Sequence, residues 1–269
     1  MPTSPNTSKW YDRPWAAFIF FTRLPLWRLH QPPVDAYRSV VEWWPLTGWL
    51  TAATMAGVLY GASLVLPYSV ALLLAIAARL LLTGALHEDG LADFFDGFGG
   101  GGNNRERILA IMKDSHIGTY GVLALVLYMG LLFAALSSLS PSQAALAIAA
   151  ADPFAKMLSA LAISRLPYAR TAQTAKSGVV YRRPTLLASL VLALQGLLPL
   201  GLCMSYIEYA PTQFAVVLLP ILTIFFLYLY IRRRLDGYTG DCCGALCLMA
   251  ELSFYIALSA LINGTAPSM

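Results

Sequence analysis

Three aspartates in the segment LHEDGLADFFDG (86–97), Asp89, Asp93 and Asp96, fall four and three residues apart. On a helix this spacing puts three carboxylates within one narrow arc. Like charges so placed repel by a few tenths of a kcal/mol per pair, and desolvation adds to that cost. A divalent cation would remove it, and an all-oxygen ligand set suits Mg²⁺ or Mn²⁺ better than zinc. The competing reading is a solvated acidic face. The apolar flanks Leu91, Ala92, Phe94 and Phe95 argue against it, because they need something to pack on. Gly90 and Gly97 each follow an aspartate and allow close approach of a ligand or another backbone.

The same stretch continues through Gly99–Gly102, which could cradle a phosphate or act as a hinge; no Gly-Lys-Ser/Thr follows, so it is not a Walker loop. It ends in RERILAIMKDSHIGTYG (105–121), an amphipathic helix leading into Lys113, Asp114 and His116. Arg105, Arg107 and Lys113 could snorkel or meet phosphates, and Asp114 could act chemically or simply cap a helix. His87 and His116 bracket the acidic segment; either suits a proton acceptor or a structural hydrogen bond. Asp241, in Thr239-Gly240-Asp241, is a helix cap or a second carboxylate site. The four cysteines, Cys203, Cys242, Cys243 and Cys247, contain no C-x-x-C pair and read as reduced small hydrophobes.

These groups must be positioned by elements that live in lipid. Of 269 residues, 58% are hydrophobic and 12% charged, and the mean hydropathy is +0.64. A soluble domain carries roughly a quarter charged residues, so the composition excludes a soluble globule, a disordered chain and a nucleic-acid-binding domain. A bilayer core of about 30 Å needs about 20 apolar residues per helix. Seven stretches qualify, roughly 43–66, 68–87, 117–137, 142–164, 185–206, 212–231 and 245–264, with Pro67, Pro141 and Pro211 in short connections. Trp15 to Trp27 is shorter, is broken by Arg23 and Pro25, and reads as an interfacial helix anchored by tryptophans. The predicted fold is thus all-α: a polytopic membrane bundle, about seven transmembrane helices plus an N-terminal interfacial helix, in one domain over 1–269 with an acidic loop at 87–116.

Charge placement supplies orientation. Lys and Arg cluster before the first span, in the second-to-third connection, in the fourth-to-fifth (Arg165, Arg170, Lys176, Arg182, Arg183) and after the sixth (Arg232, Arg233, Arg234). The alternate connections carry none, and Glu208 is their one charge. The positive-inside rule then puts the N-terminus and the acidic loop in the cytoplasm. Arg79, Asp152, Lys156 and Glu251 lie within apolar stretches, where ionisable groups are costly. They line a polar cavity or form buried pairs; Asp152 and Lys156, at i and i+4, can neutralise each other around Pro153.

The segments 86–97 and 105–121 closely resemble the cobalamin synthase family, the adenosylcobinamide-GDP ribazoletransferases. FFTRLPL (20–26), WPLTG (44–48), Pro-Tyr-Ala-Arg (167–170) and Gly-Tyr-Thr-Gly-Asp (237–241) resemble further family landmarks in order. The resemblance implies a multi-pass enzyme of the bacterial inner membrane. Its reaction joins adenosylcobinamide-GDP to α-ribazole or its phosphate, with release of GMP and with Mg²⁺ as the metal. His87, Asp89, Asp93 and Asp96 match the acidic motif, Lys113, Asp114 and Gly118 the second motif, and Arg170 and Asp241 the later ones. Glu88 stands where the family usually has an apolar residue and makes this cluster more negative. The expectation is therefore that Asp89, Asp93 and Asp96 hold the metal, that His87, Asp93, Asp96, Lys113 and Asp114 serve catalysis, and that Glu88, Arg165, Arg170 and Asp241 contact substrate.

Such a transfer needs charge neutralisation and in-line positioning more than covalent help. The partners implied are the corrinoid nucleotide, the ribazole and the lipid bilayer, with no nucleic acid; a homo-oligomer is compatible. Two other classes share some of these features. A transporter would use the intramembrane charges, but no repeated half is visible. A CDP-alcohol phosphotransferase shares the Asp93-x-x-Asp96-Gly97 spacing but lacks here the Ala-Arg and the later aspartates of its motif.

Overall fold

Proline and polar caps set where the helices begin. A computed structural model describes residues 9–170, 180–206 and 213–264; Lys176, Glu208 and Pro211 lie outside the described residues. Its helices are α1 (Asp12–Phe21), α2 (Trp44–Ser63), α3 (Tyr68–Thr83), α4 (Leu86–Gly100), α5 (Arg105–Lys113), α6 (Thr119–Ser137), α7 (Pro141–Ile163), α8 (Leu186–Ser205), α9 (Gln213–Leu235) and α10 (Gly240–Gly264). Short 3₁₀ segments at Leu26–Arg28 and Val34–Trp43 join α1 to α2. Ser140 and Gln143 cap each other reciprocally at α7, with Pro141 in its first turn. The side chains of Thr185 and Asn104 accept from the backbone N–H groups of Ala188 and Arg107, in the first turns of α8 and α5. No strand forms among the described residues, so the all-α expectation holds.

Among the described residues five helices, α6, α7, α8, α9 and α10, are by length and composition apolar enough to cross a bilayer, or six if α3 and α4 count as one broken span. All seven expected stretches are helical, and α2 and α3 are the two that do not meet that measure singly. Helix α2 occupies its predicted place, but its threonines and glycines make it less apolar than a lipid-facing helix. Its first half is the part that faces protein: Thr51 donates to Asp152 Oδ2 at 2.5 Å, and Gly48 abuts the backbone of Pro153. Helix α3 has only sixteen residues, about 24 Å at 1.5 Å each.

The acidic connection 87–116 carries two helices, α4 and α5, and what the sequence reading did not contain is the sharp turn that sets α4 across the bundle. Gly84 (φ +65°) and Ala85 (φ +54°) are both left-handed. They stop α3 and turn the chain by 87° into α4. Arg23 packs on Gly84 so closely that a Cβ there would fall 2.0 Å from its Nε. Helix α4 then wedges against α10 and α6, burying Leu91, Phe94 and Phe98. Close crossing of α4 and α10 depends on small residues: a Cβ on Gly244 would lie 2.7 Å from the His87 carbonyl oxygen and 3.3 Å from Gly90 Cα.

Candidate functional site

Where α4 begins, the chain segments quoted from 86–97, 167–170 and 237–241 converge. Tyr238 N–H donates to the Pro167 carbonyl at 3.0 Å, and Ala169 N–H to the Tyr238 carbonyl at 2.8 Å. This short parallel pairing brings Arg170 and Asp241 to the same place. Arg105 fastens it, its Nε donating to the Leu235 carbonyl at 2.7 Å and its Nη2 to that of Ala169 at 3.0 Å. Arg170 Nη2 donates in turn to the Leu109 carbonyl at 2.8 Å.

A cavity of about 120 Å³ opens there. His87, Asp89, Arg170 and Asp241 line it together with Thr239 and the start of α10. Asp89 is exposed and Asp241 is buried. The Gly90–Asp241 approach, 3.2 Å from a built Cβ to the Asp241 backbone, keeps the two acidic residues on adjoining turns. The cavity lies at the end of the bundle that carries the basic connections: it is bounded by the N-terminal ends of α2 and α10, the chain leaving α7 and the start of α4.

Aromatic residues form the other wall. Phe21, Trp44 and His87 have nearly parallel rings, 9 to 11° apart. Trp44 Nε1 donates to His87 Nε2 at 3.2 Å. An accepting Nε2 belongs to a neutral imidazole protonated on Nδ1, so His87 is held as part of the wall. Phe20, Tyr168 and Tyr181 continue it. Burial pushes the Tyr168 phenol up to about 12, aided by the nearby Cys243 and Asp241, so it stays protonated.

The remaining predicted residues go elsewhere. Asp96 is buried at the foot of α6, where its two oxygens accept from Gly118 N–H at 2.7 Å and Gly121 N–H at 2.8 Å. The three-carboxylate clasp of Asp89, Asp93 and Asp96 is not assembled, and among the described residues no three His, Cys, Asp or Glu side chains gather as a metal site. The reason is axial. A shared arc fixes direction, but seven residues of helix separate Asp89 from Asp96 by about 10 Å. Asp93 sits one turn beyond Asp89, half-buried. Glu88 turns away from the cavity toward Arg79, 3.6 Å off. Lys113, Asp114 and Arg165 are exposed and are not among the described residues lining the cavity; Asp114 pairs with His116 at 2.7 Å.

Sequence reasoning missed the aromatic wall and the fastening by Arg105. FFTRLPL and WPLTG were visible as landmarks, but nothing in their spacing says that Phe21 and Trp44 meet His87. Such contacts are long-range.

Two carboxylates, an arginine and the start of a helix around one cavity, at the end of an apolar helical bundle, are the features of a multi-pass membrane protein with a polar cavity at one end. The sequence profile of the Cobalamin-5-phosphate synthase family matches residues 13–259. Proteins called adenosylcobinamide-GDP ribazoletransferase resemble the chain over most of their length. That of Shewanella baltica is 34% identical over 250 residues, 92% of this chain and 93% of the relative. That of Leptospira interrogans is 30% identical over 257, covering 94% and 97%. That of Leptothrix cholodnii is 37% identical over 249, covering 89% and 92%. No solved structure matches. The chain belongs to the Cobalamin-5-phosphate synthase family.

Proposed function

We propose that this protein joins adenosylcobinamide-GDP to α-ribazole or its 5′-phosphate, releasing GMP and forming adenosylcobalamin or its phosphate. The observation that carries the reading is the convergence of Asp89, Arg170 and Asp241, from three separate motif segments, on one cavity. The transfer breaks a pyrophosphate link and makes a ribose-oxygen-to-phosphorus bond. Arg170 binds phosphate oxygens by charge, and the start of α10 adds the positive end of its helix dipole.

Mg²⁺ commonly binds through one or two carboxylates, with substrate phosphates and water completing its shell. Asp89 and Asp241 fit that mode. When bound, the ion neutralises the diphosphate. His87 orients the aromatic wall, and Asp96 holds α4 against α6. The enzyme is assigned to the bacterial inner membrane with the cavity facing the cytoplasm; the alternation of basic connections supports this.

The test supplies purified membranes with adenosylcobinamide-GDP, α-ribazole 5′-phosphate and Mg²⁺. GMP and a joined corrinoid are expected in equal amounts, and neither without Mg²⁺. Absence of both from complete reactions rejects the reading.

A further inference from the structure

The cavity has two unlike walls. One is polar: Asp89, Arg170, Thr239 and Asp241. The other, from the end of α1, the start of α2 and the chain between α7 and α8, is aromatic: Phe20, Phe21, Trp44, Tyr168 and Tyr181. Tyr181 sets its ring edge-on to Phe20 at 6.2 Å and to Tyr168 at 6.3 Å, so the aromatic side is continuous. Phosphate transfer uses the polar wall and gives the aromatic one no task.

Resting on the reaction proposed above, we propose that the aromatic wall is the seat of the acceptor's base, the benzimidazole of α-ribazole. The ribose then lies at the mouth, beside the carboxylates. Volume bounds the occupant: a closed cavity of roughly 150 Å³ houses a benzene. At about 120 Å³ this cavity is smaller than that, so it takes a planar heterocycle edge-first with part of the ring left in the open mouth, and it excludes a corrin macrocycle. Polarity separates the two nucleoside bases of the reaction. Guanine presents a carbonyl, a ring N–H and an amino group, each costly to bury without a partner. A methylated benzimidazole presents a hydrocarbon edge. His87 Nε2 is already taken by Trp44, which leaves the phenol hydroxyls of Tyr168 and Tyr181 as the polar atoms of this wall. Aromatic faces bind any planar base by stacking, so it is the apolar edge that selects the benzimidazole.

Phe20→Leu and Tyr181→Leu remove a ring each while keeping an apolar side chain. In the full-length enzyme each is expected to raise KM for α-ribazole 5′-phosphate about tenfold and to move KM for adenosylcobinamide-GDP by less than about twofold. Phe20→Tyr, which keeps a ring, is expected to lose less than Phe20→Leu. A rise confined to adenosylcobinamide-GDP places guanine on this wall and overturns the proposal, as does no change in either KM. Should a variant fail to accumulate, free 5,6-dimethylbenzimidazole decides with the wild type: inhibition competitive with the riboside supports the seat, and inhibition competitive with the corrinoid refutes it. If the wild type forms no product, the reaction assignment fails on its own. Calorimetric binding of 5,6-dimethylbenzimidazole, about tenfold weaker in Phe20→Leu, would still uphold an aromatic-base site, and equal binding would refute it.

Discussion

Asp89 and Asp96 belong to one motif and one helix, yet their surroundings assign them opposite work. Asp89 is open to the cavity, whereas both oxygens of Asp96 are committed to backbone N–H groups. Asp89→Asn and Asp241→Asn are therefore expected to lower turnover by about 10²-fold or more with thermal unfolding in detergent little changed. Asp96→Ala strips the cap from α6 and is expected to cost about 1–2 kcal/mol of stability, read as a lower unfolding midpoint. Equal midpoints for Asp96→Ala and wild type would remove its capping role. Outside the spans, the hydrogen bond between Asp114 and His116 raises the His116 imidazole above its ordinary 6.5 and lowers the Asp114 carboxyl below 3.8. The ion pair is thus complete between those two ordinary values. It is lost as pH rises through the raised His116 value or falls through the lowered Asp114 value. NMR titration of His116 should show the upward shift, and Asp114→Asn should abolish it. At this scale the sequence displayed the carboxylates but not their partners, because Gly118 and Gly121 meet Asp96 only through the fold.

Among the elements, α4 matters most, and its identity shows what pattern reading can and cannot reach. The 4-and-3 spacing and apolar flanks of 86–97 announced a packed helix. The 87° turn that lays it across α10 rests on left-handed backbone at Gly84 and Ala85, and alanine carries no sequence signal for that conformation. Glycine does at Gly84, and its lack of a Cβ has a separate use at Gly90 and Gly244, where α4 crosses α10. Gly244→Ala would put a Cβ 2.7 Å from the His87 carbonyl oxygen. The helices must part, moving Asp241 from Asp89. An overpacking cost of about 1–3 kcal/mol and a loss of turnover out of proportion to it are expected. Stability and rate measured on the same preparation check this; unchanged turnover would show that the helix approach does not set the site.

Across the whole molecule, hydropathy placed the helices of the bundle, but it cannot tell lipid from protein as a neighbour and so does not say which residues face inward. Helix α2 is the instance. Its threonines bond within the bundle, and Trp49 Nε1 donates to the Gln195 carbonyl at 2.8 Å. The intramembrane charges, visible in the sequence as costly residues, show how the bundle is tied. Arg79 of α3 meets Glu251 of α10 at 2.6 Å, Tyr128 of α6 at 2.8 Å and Glu88 of α4 at 3.6 Å. Tyr255 adds a hydrogen bond to Glu251 at 2.6 Å, and Lys156 pairs with Asp152 behind them. One guanidinium thus binds the elements that frame the α3–α4 turn. Removing a single member of a buried pair leaves a charge without compensation, at about 3–5 kcal/mol, whereas removing both costs far less. Arg79→Met is accordingly expected to unfold at markedly lower temperature or denaturant than wild type, and Arg79→Met/Glu251→Leu to recover part of the loss. A double variant no more stable than the single one would show that Glu251 is not the charge Arg79 compensates, and would shift that role to Glu88 across the turn.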